Sequence, residues 1–166
     1  SKLSLDRERL LDNIPTQIWY FTNENTYGAV NQAYANFLGM KIQDIMFQTL
    51  EEVHSRNVAN IFLEKNKIIF QEKEKLEYEV SLERADGHVR LLYVFQTPIL
   101  NKKKEVDYIV CSAEDITEEK RQEEQVAFLT IHDQLTGLKN RRFFDDLMQK
   151  TNVEDVFPIS FMMLDL

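Results

Sequence analysis

The sequence predicts an α+β chain, and three observations carry that prediction. From Leu76 to Glu83, Leu76, Tyr78, Val80 and Leu82 alternate with Glu77, Glu79, Ser81 and Glu83. That is the period-two pattern of a strand with one wet face. Before it, Val58, Ile61, Phe62, Lys65, Ile68 and Ile69 recur at helical spacing, with the Lys65 stem free to lie along the apolar stripe. After Thr117 the composition changes to EEKRQEEQ, a charged helix leaving the preceding domain.

The elements follow in order. Leu3 to Leu11 reads as a short amphipathic helix, broken by Pro15. Gln17 to Phe21 carries Ile18, Trp19, Tyr20 and Phe21, a strand composition. Asn23 to Asn25 is turn chemistry, and Tyr27 to Val30 a second short strand. Asn31 can cap a helix through Tyr34, Phe37 and Leu38 that Gly39 ends. The long helix covers about Asn57 to Glu72. Asp86-Gly87 turns the alternating strand into a partner, Val89 to Thr97, apolar on both faces. A charged connection at Asn101 to Glu105 leads to a last strand, Val106 to Ala113. It places Tyr108, Val110 and Ser112 on one face and Ile109, Cys111 and Ala113 on the other. Thr117 or Asp115 can cap the charged helix, whose first turn holds Glu118 and Glu119 near the positive dipole end.

Composition narrows the function classes. With 166 residues there is room for one domain and the beginning of another. Acids outnumber bases 28 to 20, and an acidic surface repels phosphate backbones, so no nucleic-acid partner is expected. The single cysteine cannot form an internal disulfide, and the histidines at 54, 88 and 132 have no zinc-site spacing. No apolar run reaches the roughly 20 residues of a membrane span, which with the lone thiol fits a cytoplasmic protein.

Two strands, short helices, one longer helix and three consecutive strands resemble the PAS family over about Leu5 to Thr117. NENTYGAVNQAYANFLG resembles its second-strand-to-helix segment, LERADGHVRLLYVFQTPI its hairpin, and EDIT at Glu114 to Thr117 its closing signature. The resemblance implies an α+β fold with a five-stranded antiparallel sheet and flanking helices. It implies that Asp115 and Thr117 couple the sheet to the outgoing helix, and that an unknown small-molecule ligand, or nothing, sits between sheet and helices. Trp19, Tyr34, Phe37, Tyr78, Tyr93 and Phe95 are the aromatic candidates for that pocket, with core packing as the alternative for each. Covalent flavin is argued against because Cys111 falls in the last strand. Haem is argued against because His54 precedes the long helix, where it is expected to be exposed or locally bonded.

A second resemblance begins at HDQLTGLKNRRFFDDL, which is similar to the opening of GGDEF domains, the catalytic domains of diguanylate cyclases. Gly137 is expected at positive φ, Leu135 and Leu138 as core anchors, Asn140 as a helix cap, and Phe144 and Leu147 as buried. FPISFMMLDL resembles the family's first core strand. There Asp165, and the main-chain carbonyl of Leu166, match oxygen ligands for Mg²⁺ in an intact cyclase that uses GTP. No two glycines are adjacent, so the Gly-Gly-(Asp/Glu)-Glu-Phe signature is not in this sequence, and no catalytic residue is assigned within it. An unpaired strand edge there is expected to pair with another chain or to pack irregularly.

The expected organisation is residues 1–15 as an N-terminal cap, 16–117 as the sensor, 118–131 as a signalling linker helix and 132–166 as the start of a GGDEF domain. The resemblances imply a homodimeric sensory module regulating a diguanylate cyclase that makes cyclic di-GMP from two GTP. Two alternatives stay open. One is a regulator in a degenerate GGDEF protein with a downstream cyclic di-GMP phosphodiesterase. The other is a ligand-free PAS dimerisation module.

Overall fold

The computed structural model describes residues 13–150 and Met162. The helix expected at Leu3–Leu11, the strand in FPISFMMLDL and the metal-ligand positions Asp165 and Leu166 lie outside the described residues. The chain divides into two compact units, residues 1–117 and 118–166.

The first unit contains strands β1 (Gln17–Asn23) and β2 (Thr26–Val30). Helices α1 (Gln32–Leu38), α2 (Ile42–Ile45), α3 (Leu50–Val53) and α4 (Arg56–Glu72) follow, then strands β3 (Leu76–Glu83), β4 (Val89–Leu100) and β5 (Val106–Asp115). The five strands form one antiparallel sheet in the order β2-β1-β5-β4-β3, as expected. The first strands thus sit beside the last one, and the exit of β5 is held in the middle of the sheet.

Local chemistry accounts for the entry to the helices. Asn31 Oδ1 accepts from the Tyr34 amide at 3.0 Å, capping α1, and from the Ile18 amide at 3.0 Å on β1. Its Nδ2 donates to the Thr16 carbonyl at 2.8 Å. One side chain therefore caps the helix and fixes its start against the sheet. Gly39 closes α1 at φ +69°, a left-handed conformation suited to glycine, and Ala85 packs where its Cβ would be.

Strand parity sorts the core. Tyr78, Val80 and Leu82 of β3 are buried, and the alternating glutamates face solvent. Leu92, Val94 and Gln96 of β4, and Ile109, Cys111 and Ala113 of β5, line the same inner face. Helix α4 closes it with Ala59, Phe62, Asn66 and Ile69. This face is rotated from the expected stripe. Asn66 points inward, Ile68 is 43% exposed, and Lys65 is partly buried with its ammonium over the Tyr78 ring. An apolar Ile outside and an amide inside mean that the inner face carries polar partners for that amide.

The second unit contains α5 (Thr117–Ile131, its first residue in the sheet unit) and α6 (Arg141–Lys150). Between them the Asp133 carboxylate accepts from the Leu135 amide, the Thr136 amide and the Thr136 hydroxyl. Those bonds hold its carboxyl below the usual range. Gly137 takes φ +69° as expected, and Asn140 caps α6 by accepting from the Phe143 amide at 3.0 Å. The expected burial is not found. Leu135 is 93% exposed, Leu138 69%, and Phe144 and Leu147 about half. The strand expected in FPISFMMLDL falls outside the described residues.

Candidate functional site

Two constellations stand out in the sheet unit, one on its inner face and one at its exit.

The inner face is built around Trp19, which pairs in register with Cys111 of β5, itself paired with Gln96 of β4. Directly paired residues share a face, so Trp19, Cys111 and Gln96 form one cross-strand row. Tyr78 lies in the next row with Val94 and Ala113. Trp19 stacks on Tyr34 of α1, ring centroids 4.2 Å apart and 17° from parallel. Phe62 of α4 meets Trp19, Phe21, His54 and Tyr78 with its ring. The Gln96 amide donates to Asn66 Oδ1 at 3.0 Å and to Cys111 Sγ at 3.3 Å, and Asn66 in turn donates to the Glu24 carbonyl. The Tyr27 hydroxyl lies 2.9 Å from that of Tyr34 and 2.6 Å from His54 Nε2.

Burial sets the charge state of this interior. It pushes the phenols of Tyr27, Tyr34 and Tyr78 and the Cys111 thiol upward. It lowers His54 from 6.5 to about 4. Every group is thus uncharged at neutral pH. Three buried polar atoms still lack a hydrogen-bond partner here: Trp19 Nε1, the Tyr78 hydroxyl and Gln96 Oε1. Gln17 Oε1, at the start of β1, and Asn25 Oδ1, in the β1–β2 turn, are also without one.

The exit constellation joins β4, β5 and α5. Asp115 Oδ1 accepts from the Thr117 amide at 3.0 Å and the Thr117 hydroxyl at 2.6 Å, while Oδ2 accepts from Arg90 Nε at 2.7 Å. The Thr117 oxygen accepts from the Leu91 amide at 2.8 Å, and the Ile116 amide donates to the Leu91 carbonyl. Burial opposes ionisation of Asp115, but Arg90 and the Thr117 bonds outweigh it and hold the carboxyl below its ordinary range. The last residues of the sheet are therefore clasped to the start of β4 as the helix begins.

Of the six aromatic pocket candidates, Trp19, Tyr34, Phe37 and Tyr78 are buried in the core. Tyr93 and Phe95 are not with them. Tyr93 pairs with Glu114 and Phe95 with Ser112, on the opposite face of the sheet from Trp19. The Tyr93 hydroxyl donates to Glu77 at 2.9 Å there. The reason is strand parity: with Leu92, Val94 and Gln96 inward, the odd positions of β4 must face outward. His54 also differs from expectation. Its partner is a core tyrosine 27 residues away, not a local group. The sequence reading missed Asn66 and Gln96. The signal for Gln96 was a lone amide inside an otherwise apolar strand; Asn66, between Lys65 and Lys67 in a helix with other amides, gave none.

Among the described residues no three His, Cys, Asp or Glu side chains stand together as a metal site. No helix among them is long and apolar enough to cross a membrane.

Comparison with known proteins gives one curated relative to set beside the structure. Cyclic di-GMP phosphodiesterase PdeR of Escherichia coli (strain K12) is 28% identical over 141 residues, 82% of this chain and 21% of that protein. The chain thus spans about a fifth of the length of the curated relative it matches. Among solved structures, the Vibrio cholerae VqmA dimer superposes with a TM-score of 0.61 at 19% identity, over 69% of this chain and 52% of that one. The PAS domain of Bordetella pertussis BvgS gives 0.57 at 19% identity, over 78% and 97%. The profile of the PAS fold family matches residues 5–116, the sheet, its helices and all but the last residue of the Asp115–Thr117 clasp. On that match, and on the five-stranded sheet that accounts for it, the chain belongs to the PAS family.

Proposed function

We propose that this chain is a signal-transducing module that controls an attached enzyme of cyclic di-GMP metabolism, with synthesis from two GTP as the regulated reaction. The observation that carries the reading is the clasp of Asp115, Thr117, Arg90 and Leu91. It leaves α5 no slack at its first residue, so a change in strand geometry must alter the direction in which the helix leaves. Such a device transmits a signal only if the signal stabilises one sheet geometry over another.

The second unit is read as the start of a GGDEF domain from the likeness of HDQLTGLKNRR to that family's opening; the turn at Gly137 and the Asn140 cap are compatible with that reading. In the intact enzyme, Asp165 and the Leu166 carbonyl would hold Mg²⁺, which polarises the phosphate under attack. Synthesis joins two GTP, so a homodimer presenting one nucleotide from each subunit is the natural assembly. The dimeric state of the structurally similar VqmA supports that assembly.

Hydrolysis is the second reading, favoured by one observation. The match to PdeR takes in 82% of this chain, more than the PAS residues can supply, so the likeness to a phosphodiesterase continues past Thr117.

The test uses the full-length protein, supplied with GTP and Mg²⁺ in one arm and cyclic di-GMP in the other. Production of cyclic di-GMP is expected, with turnover altered severalfold by Thr117→Val and preserved by Thr117→Ser. Hydrolysis without synthesis would select the second reading. Neither activity would overturn both.

A further inference from the structure

We infer that the outer face of the sheet holds a small methylated ammonium ion, among the rings of Tyr20, Tyr108 and Phe47 and against the carboxylate of Asp107. The site lies across the sheet from Trp19, and it stands or falls independently of the regulatory reading above.

A cleft of about 400 Å³ opens there, a volume within the usual range of small-molecule sites. Alternation puts Tyr20 of β1 and Tyr108 of β5 on this outer face, because Trp19, Phe21, Ile109 and Cys111 take the inner one. The two tyrosine rings have centroids 5.6 Å apart and planes 46° from parallel, an open wedge rather than a closed stack. Both are only partly buried. Phe47, between α2 and α3, lines the same cleft and is 68% exposed.

The other sides of the cleft depart from regular geometry. Trp19 pairs with Val30 and Phe21 with Tyr27, so Gly28 and Ala29 of β2 together oppose Tyr20. Gly28 keeps the floor open, since a Cβ there would lie 3.0 Å from Thr22 Cγ2 and 3.4 Å from Tyr20 Cβ. On β5, Tyr108 pairs with Ile99 and Val106 with Leu100, which leaves Asp107 unopposed. Alternation would send Asp107 inward with Ile109, but a bulge re-aims a side chain, and Asp107 lines the outer cleft beside Tyr108. Phe47 has φ +63°, rare for a bulky residue, and its amide donates to the Tyr27 carbonyl at 3.0 Å, which pins that backbone against β2. Bulges and left-handed bulky residues concentrate at functional sites. Here they meet around one cleft and hold an aromatic ring out in water, which core packing does not explain.

The lining decides the class. Aromatic faces carry negative potential and attract cations within about 6 Å of the ring centroid. Asp107 adds a full negative charge, and among the described residues its side chain makes no ion pair or hydrogen bond. No lysine, arginine or histidine lines the cleft. An anion would meet Asp107 directly, and a neutral molecule would cover that carboxylate without compensating it. A bare ammonium has three N–H donors to satisfy, and rings satisfy none of them by ordinary hydrogen bonds. A methylated ammonium has no such demand and presents a broad apolar surface with positive charge, which aromatic walls and one carboxylate complement.

The test uses two probes of one shape: choline, and its uncharged carbon isostere 3,3-dimethylbutan-1-ol. Choline chloride replaces sodium chloride mole for mole, so that screening stays constant. Amide correlation spectra of the 166-residue chain report the site, and with only four glycines the Gly28 signal is readily assigned. Choline should shift the Gly28, Tyr20, Asp107 and Tyr108 amides saturably in the millimolar range, and the isostere should bind about tenfold more weakly or not at all. Asp107→Asn should weaken choline about fivefold and leave the thermal midpoint unchanged, because the side chain is exposed. Tyr108→Leu keeps an apolar wall and removes a ring, so it should weaken choline and not the isostere. Should that variant fold poorly, Asp107→Asn still decides. No saturable shift overturns the proposal, as does equal binding of the two probes, which would make the cleft merely apolar. Unchanged choline affinity in Asp107→Asn overturns it as well. So do shifts of the same amides on raising the protein concentration alone, with choline adding none, since that assigns the cleft to an interface between copies of the chain.

Discussion

The Tyr27 hydroxyl lies 2.6 Å from Nε2 of His54, a bond that ties the second strand to a residue two positions before the long helix. The ring of His54 also packs against Phe62, so protonating it puts a charge beside the aromatic core.

Acid should therefore loosen the domain through His54. Burial lowers its pKa from 6.5 in the unfolded chain to about 4 in the folded one. Between those values the unfolded state binds more protons, so stability falls as pH drops from about 6.5 toward 4 and this contribution is flat outside that window. The full loss is at most about 3 kcal/mol. Urea titrations at several pH values should give a shallower acid dependence for His54→Gln than for the unsubstituted protein. Identical slopes would remove His54 as the sensitive group.

Asn31 carries more than a cap. Asn31→Ala strips a partner from the amides of Tyr34 and Ile18 and from the Thr16 carbonyl, a loss of about 2–4 kcal/mol. Asn31→Asp keeps the acceptor and loses only the donor to Thr16, so it should fall between the two. Chemical denaturation midpoints give the ranking, and an Asp variant as unstable as Ala would show that the Thr16 bond dominates.

Gly39 is constrained twice, by its φ of +69° and by Ala85, whose Cβ would be 2.8 Å from an added Cβ. Gly39→Ala should cost about 1–3 kcal/mol. Adding Ala85→Gly removes the closest contact and leaves the Ala85 Cα at 3.3 Å and the backbone part, so the double variant should recover some stability but not all. Full recovery in a thermal melt would assign the whole effect to the clash.

At the exit, Thr117→Val removes a hydroxyl that donates to Asp115 and accepts from Leu91, with an expected loss of about 1–3 kcal/mol. Thr117→Ser keeps both bonds and should stay within about 0.5 kcal/mol of the parent. Amide exchange at Leu91 is the local check: fast in the Val variant, slow in the Ser variant. Slow exchange in both would mean that the Leu91 amide does not depend on this oxygen.

Much of the fold was legible because it rests on short-range rules. The alternation in Leu76–Glu83, the cap at Asn31, the stop at Gly39 and the Asp115–Thr117 pair each announce themselves within a few residues. What was illegible depends on pairing at long range. On β4 both faces are apolar, so only its register with β5 reveals that Tyr93 and Phe95 turn away from Trp19. Gln96 looks out of place in its apolar strand and Asn66 does not stand out in its helix, yet the two make sense only against each other, 30 residues apart. Lys65 and Ile68 fit a helical stripe as well as Asn66 does by spacing, and hydrophobicity alone selects the wrong phase. His54 is read from a partner in a different element. The expected strand and metal ligands near the C-terminal end lie outside the described residues.

Cys111, the one thiol of the chain, is sealed between Trp19 and Gln96 under helix α4. Alkylating reagents can reach it only after sheet and helix have parted, so its labelling rate is a clock for how often the domain breathes open. A molecule lodged on the inner face would slow that clock without any change in the reagent.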